Sequence, residues 1–125
     1  MIIADTDVLI DFLRGRDEGD RVAFELEKGR ITTTVITAFE LWAGAKSPRH
    51  MASVETLLSA LPILPLEAKS ARRAGEVRRL LEQKGNSIGM ADSLIAGICL
   101  EQHRPLLTRN KKHFERVPGL QLSHS

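Results

Sequence analysis

The chain has one cysteine, few aromatics, little net charge and no long apolar run, and each shortage removes a class of explanation. A lone Cys99 cannot form an intramolecular disulfide, so no disulfide framework holds the fold. It sits in an apolar helical pattern and reads as a small core residue. No stretch approaches the roughly 18 apolar residues of a spanning helix, and no basic segment precedes an apolar run at the start. The expected location is therefore the cytoplasm. Aromatics make up only 4% of the chain. Trp42, with no second aromatic beside it, reads as a core or interface residue rather than a base-stacking platform. A net charge of +2 does not by itself announce a nucleic-acid binder. The length of 125 residues suits one domain, 1–125, which can bury roughly two-thirds of its unfolded surface.

What is present is concentrated at the start. Met1 to Ala4 form a short apolar run, Asp5-Thr6-Asp7 follows, and Val8, Leu9, Ile10, Phe12 and Leu13 begin a helical pattern. An opening strand with almost no polar residue suits a central place in a parallel sheet. Open α/β sheets bind ligands at the carboxyl ends of their strands, so Asp5 is the first candidate for chemistry. Asp7, just before Val8-Leu9-Ile10, reads as the N-cap of the first helix. Further on, the spacing predicts helices over about 8–14, 18–28, 37–46, 50–61, 66–84 and 90–102, with Pro48 closing the third. Strands are expected over 31–34, 62–65 and 105–108, and a fifth, at an edge, over 120–122. Strands alternating with helices mean crossover connections. The expected fold class is thus α/β, with a central parallel sheet of four to five strands and helices on both faces.

Two more acids stand out by position. Ile36, Phe39, Glu40 and Ala43 share a helical stripe, which places Glu40 among core-facing residues. A carboxylate there must be paired, hydrogen-bonded or bound to a metal. The alternative is a capping box, with Glu40 reaching back to the Thr37 backbone N–H. Asp92 repeats the pattern between Ile88, Ala91 and Ile95. An acid in a first helical turn complements the helix dipole, which explains its tolerance but not its inward face. Asp5, Glu40 and Asp92 all belong near the carboxyl edge of a parallel sheet. Three carboxylates sharing a site repel one another unless a cation neutralises them. Oxygen-only ligation favours Mg²⁺ or Mn²⁺, and such an ion supports phosphodiester hydrolysis.

Four segments in order, MIIADTDVLIDFL, TAFELWAGA, IGMADSLIAGICL and LLTRNKKHFERVPGL, resemble the PIN-domain family, specifically the VapC-like toxins of toxin–antitoxin pairs. The resemblance covers essentially the whole chain. It implies a three-layer α/β/α fold, metal-dependent endoribonuclease activity, a homodimer, and neutralisation by a small VapB-like antitoxin. It also implies that Asp5, Glu40 and Asp92 hold Mg²⁺, or Mn²⁺, and that Thr6 orients Asp5 or a water. Many members carry a fourth acid after the last core strand. Here that segment reads Thr108-Arg109-Asn110-Lys111-Lys112-His113. Asn110 can support the site but brings no charge, so one metal is expected rather than two. Arg109, Lys111 and Lys112 flank the site as candidate contacts to RNA phosphates, with Arg72, Arg73, Arg78 and Arg79 as more distant support. Solvated helix faces are the alternative for these basic residues.

Two rivals remain at this level. Asp5-Thr6-Asp7 also resembles the D-x-D of haloacid-dehalogenase-type phosphatases, with Asp5 as nucleophile. That family expects Thr two residues beyond the second Asp, where Leu9 stands. The other rival is a catalytically impaired PIN-like scaffold that binds RNA or protein, and its support is the missing fourth acid.

Overall fold

A computed structural model describes residues 1–124. In chain order it comprises β1 (Ile2–Ala4), α1 (Thr6–Arg14), α2 (Gly19–Glu27), β2 (Ile31–Thr34), α3 (Val35–Ala43), α4 (Pro48–Ser59), β3 (Ile63–Leu64), α5 (Ala68–Gln83), α6 (Met90–Gln102), β4 (Leu106–Leu107) and α7 (Lys111–Phe114). The four strands pair in the order β3-β2-β1-β4, every pair parallel. The sheet therefore grows outward from β1 through β2 to β3 and then returns to the other side of β1. That reversal puts the topological switch beside β1 and β4, where open α/β sheets form their ligand crevice.

Alternation along the strands divides the core in two. Ala4, Ile31 and Leu107 face a cluster with Val8, Leu9, Val22, Ala38, Leu41, Val54 and Leu57, which α1 to α4 supply. Ile3 and Leu106 face the other way, onto Val77, Leu81, Ile95, Ala96, Cys99 and Phe114 from α5, α6 and α7. The result is the three-layer α/β/α arrangement. The threonines of β2 are all buried, and their hydroxyls find partners. Thr32 donates to the Pro62 carbonyl at 2.7 Å, and Thr33 to the Ala4 carbonyl at 2.7 Å. Thr34 caps α3 by accepting from the Thr37 N–H at 3.2 Å.

Two glycines hold positions that a side chain would disturb. Gly15 ends α1 at φ 64°, and its N–H reaches back to the carbonyls of Asp11 and Phe12. Gly97 lies where α6 crosses α5. A Cβ there would stand 2.5 Å from the Ser70 carbonyl oxygen and 2.8 Å from the Ala74 Cβ.

Several local expectations shift. α1 starts at Thr6 with Asp5 as its N-cap, so Asp7 lies in the first turn and does not cap. α3 starts at Val35 rather than Thr37, and Pro48 opens α4 at its first position instead of closing the helix before it. The buried face of α3 is Thr37, Ala38 and Leu41, while Phe39 is 66% exposed and Trp42 40% exposed. Trp42 is therefore not a core residue, and its Nε1 donates to Glu55 at 3.0 Å. Val35-Ile-Thr-Ala-Phe-Glu-Leu-Trp-Ala is apolar on nearly every side, so periodicity cannot choose its inner face. The 120–122 segment contributes one bridge, Leu106 to Leu122, rather than a strand. α7 is too short for a period and was not expected.

Candidate active site at the carboxyl edge of the sheet

Asp5 leaves the sheet at the end of β1 and is 6% exposed. Both of its oxygens are engaged. Oδ1 accepts from the Thr6 N–H at 2.8 Å, and Oδ2 accepts from the Thr108 hydroxyl at 2.7 Å. Burial, then the neighbouring charge of Asp7, push the carboxyl up to about 7 against those two hydrogen bonds, and Asp92 adds to the rise. The same burial pushes the Cys99 thiol up to about 12, with the charge of Asp5 adding to it. Cys99 is thus a core thiol, as its pattern suggested, and no nucleophile.

Glu40 projects from α3 and takes the Thr6 hydroxyl on Oε1 at 2.6 Å. That hydroxyl also lies 3.0 Å from Thr37 Oγ1. Thr34 caps the helix, so the capping-box alternative for Glu40 and Thr37 does not hold. Thr6 divides its work: its backbone N–H orients Asp5, and its hydroxyl holds Glu40. Asp92 sits in the first turn of α6, where burial raises its carboxyl and His113 opposes that rise. The His113 Nδ1 stands 3.7 Å from Asp92 Oδ2 and 2.9 Å from Asn110 Nδ2. Among the described residues, no three acids, histidines or cysteines converge as a ready metal-ligand set. Thr6 instead bridges Asp5 and Glu40, Thr108 stands between Asp5 and Asp7, and His113 lies between Asp92 and Asn110.

Sequence reasoning passed over three participants. Asp7, read there only as a cap, accepts from the Arg109 N–H at 3.1 Å and lies 3.4 Å from the Thr108 hydroxyl. Its carboxyl is raised by burial, which the Arg109 amide and guanidinium oppose. Its Oδ1 is buried without a hydrogen-bond partner. Asp11 is fully buried, and the Arg109 Nε donates to its Oδ2 at 2.7 Å. Thr108, at the end of β4, joins Asp5 to this set. The signal available was the four-residue spacing of Asp7 and Asp11, which puts both on one face of α1 beside the apolar Val8. Thr108 gave none.

The basic residues separate by place. Lys111 and Lys112 open α7 beside Asn110. Farther off, Arg72 lies 3.9 Å from Glu76, Arg73 3.6 Å from Glu101 and Arg78 3.3 Å from Glu82. Those three are surface ion pairs on or beside α5, the solvated-face alternative. No helix among the described residues is long and apolar enough to cross a membrane.

The PIN domain model matches residues 2–120. The chain is 32% identical over 122 residues to the tRNA(fMet)-specific endonuclease VapC of Salmonella typhimurium, covering 94% of this chain and 92% of that one. It is 34% identical over 115 residues to ribonuclease VapC10 of Mycobacterium tuberculosis, covering 91% and 86%. The solved structure of DNA-bound VapBC from Salmonella typhimurium superposes with a TM-score of 0.88 at 32% identity, covering 98% and 96%. VapBC2 from Rickettsia felis, bound to a DNA fragment from its promoter, gives 0.87 at 31% identity over 98% of each chain. A parallel sheet in the order 3-2-1-4, acids gathered at its carboxyl edge and a match over nearly its full length place this chain in the PIN-domain family.

Proposed function

We propose that the chain is a metal-dependent endoribonuclease and the toxin of a VapBC-type pair, acting in the cytoplasm. The observation that carries this is the likeness to VapC ribonucleases over nearly the whole chain, with Asp5 nearly buried at the carboxyl edge beside Asp7 and Glu40. Such a cluster is short of positive charge. An unpartnered Asp7 oxygen and an all-oxygen donor set fit a hard divalent cation, Mg²⁺ or Mn²⁺. Asp5, Glu40 and Asp92 would hold it. When bound, the ion lowers the pKa of water and offsets charge on a phosphodiester. Thr6 then orients Asp5 through its N–H and Glu40 through its hydroxyl, and Thr108 fixes the second Asp5 oxygen. Asn110 and His113 border Asp92 as supporting groups.

The phosphatase rival needs an Asp5 oxygen presented as a nucleophile. Leu9 stands here where that family has its Thr, and the PIN domain model matches residues 2–120, which favours the nuclease. Lys111 and Lys112 flank the cluster and serve RNA phosphates in this reading, while the guanidinium of Arg109, the third candidate, is taken up by Asp11. The exposed apolar residues Val35, Phe39 and Trp42 on α3 support a homodimer. An open groove between α1, α3 and α4, lined by Ile10, Leu13 and Leu41 and reaching Glu40, supports docking of an antitoxin segment.

Expression of the wild type in a bacterial host should arrest growth and produce discrete RNA cuts, while Asp5→Asn and Asp92→Asn at matched levels should not. Arrest by all three proteins, or wild-type RNA binding without cuts, would favour the impaired scaffold. Replacing Lys111 and Lys112 together with Ala should weaken RNA binding and reduce its salt slope by about 1 to 2. An unchanged slope would return both lysines to the solvated surface.

A further inference from the structure

The loop after β4 is tied to α1 by a contact that neither hydrolysis nor phosphate binding requires. Asp11, on α1, has a side chain with no exposure at all, and a carboxylate so placed is tolerated only with a partner. Arg109 is that partner, with its Nε 2.7 Å from Asp11 Oδ2 across 98 positions of sequence. Arg16 approaches the other oxygen only to 3.8 Å and is half exposed. The Glu18 N–H adds a third, weaker contact at 3.3 Å.

Arg109 is thus held at two points, its guanidinium on Asp11 and its amide on Asp7. The residue before it inherits that restraint. Thr108 is buried, donates its hydroxyl proton to Asp5 at 2.7 Å and accepts from the Asn110 N–H at 3.0 Å. Asp5 has its remaining oxygen on the Thr6 N–H, so the direction of its carboxylate depends on where Thr108 stands.

We propose that the Asp11–Arg109 pair is a positioning device for the acidic site, anchoring the segment after β4 so that the Thr108 hydroxyl fixes the orientation of Asp5. This rests on the metal-dependent nuclease reading above. Asp11 and Arg109 are positioning residues, acting through Thr108. Without the pair, the loop loses its anchor on α1, and Asp5 is free to turn away from the cation it would share with Asp92.

The test measures Mn²⁺ affinity of the RNA-free protein by paramagnetic resonance, together with kcat, KM and the salt slope of RNA binding. The variants are Asp11→Asn, Arg109→Ala, their combination, and Thr108→Val. Each should weaken Mn²⁺ binding and lower kcat by about 10-fold or more, the range seen for groups that orient metal ligands. The double variant should be no worse than either single one, and Asp11→Asn should leave KM and the salt slope unchanged. An Arg109→Ala protein whose slope falls by about one, beside an Asp11→Asn protein with wild-type Mn²⁺ affinity, would make Arg109 a phosphate contact and overturn the proposal. Thr108→Val guards against an Asp11 variant that fails to fold, since wild-type Mn²⁺ binding by that protein would also overturn it. A wild type that binds Mn²⁺ but cuts no RNA would sink the nuclease reading, while the role of the pair would still be read from the Mn²⁺ affinities.

Discussion

Asp5→Asn should lower RNA cleavage by at least about 100-fold and at the same time raise the melting temperature of the metal-free protein at pH 8. The opposite signs have one origin. The Asp5 carboxyl is pushed from 3.8 to about 7 by burial and by Asp7. Between those values the folded state holds a proton that the unfolded state releases. The stabilisation this gives is fully present below pH 4 and is lost as pH rises through 7. An asparagine keeps acceptance from the Thr6 N–H on its one oxygen, turns its amide NH2 to the Thr108 oxygen as a donor, and carries no charge at any pH. Its advantage over the wild type should therefore be largest at pH 8 and shrink towards pH 4, and a divalent cation should stabilise only the wild type. Thermal melts of both proteins across this range, with and without Mn²⁺, give the comparison. A variant that melts below the wild type at every pH would mean that Asp5 is not held against its preferred charge.

The second large effect belongs to the scaffold. Gly97→Ala should destabilise the protein by about 1–3 kcal/mol, and Gly97→Val by more. The obstacle is the Ser70 carbonyl oxygen, 2.5 Å from the added Cβ. Backbone inside α5 cannot yield without moving the helix, so α5 and α6 must separate. Asp92 rides on α6, so cleavage per folded molecule should drop as well. Gly75→Ala on the same helix pair provides the control. Its Cβ would meet nothing within 4 Å, and it lies mid-helix in α5, so it should stabilise by about 0.5–1 kcal/mol. Urea unfolding of the three proteins decides the matter. Equal stability of Gly97→Ala and wild type would mean that the helices are not in the close register described.

The order of elements could be read directly, because β-branched and apolar runs alternate with helical spacings and glycine ends several of them. Asp5 was legible for the same reason: nothing polar precedes it in β1. Asp92 was legible as an acid beside the buried Ile88 and Ile95, but the stripe that made Glu40 core-facing is not the inner face of α3. Phe39 and Ala43 are exposed, Glu40 is only partly buried, and Thr37, Ala38 and Leu41 face the core instead, because Val35, Phe39 and Trp42 are as apolar as the residues that are buried. Helix starts moved by two residues where a cap decided them: α3 begins at Val35 behind Thr34 rather than at Thr37, and α1 at Thr6 behind Asp5 rather than at Val8. Caps depend on backbone geometry that composition does not carry. The Asp11–Arg109 pair lay beyond reach because it joins positions at opposite ends of the chain. A basic residue after β4 looks the same in sequence whether it meets RNA or a buried acid.

The central claim, metal-dependent cutting of RNA at Asp5, Glu40 and Asp92, is tested most directly by incubating the purified protein with total RNA in Mn²⁺ and in chelator and mapping the new 5′ ends. Discrete cuts in Mn²⁺, none in chelator and none with Asp92→Asn are the expected result. The same cuts in chelator, or from Asp92→Asn, would contradict it.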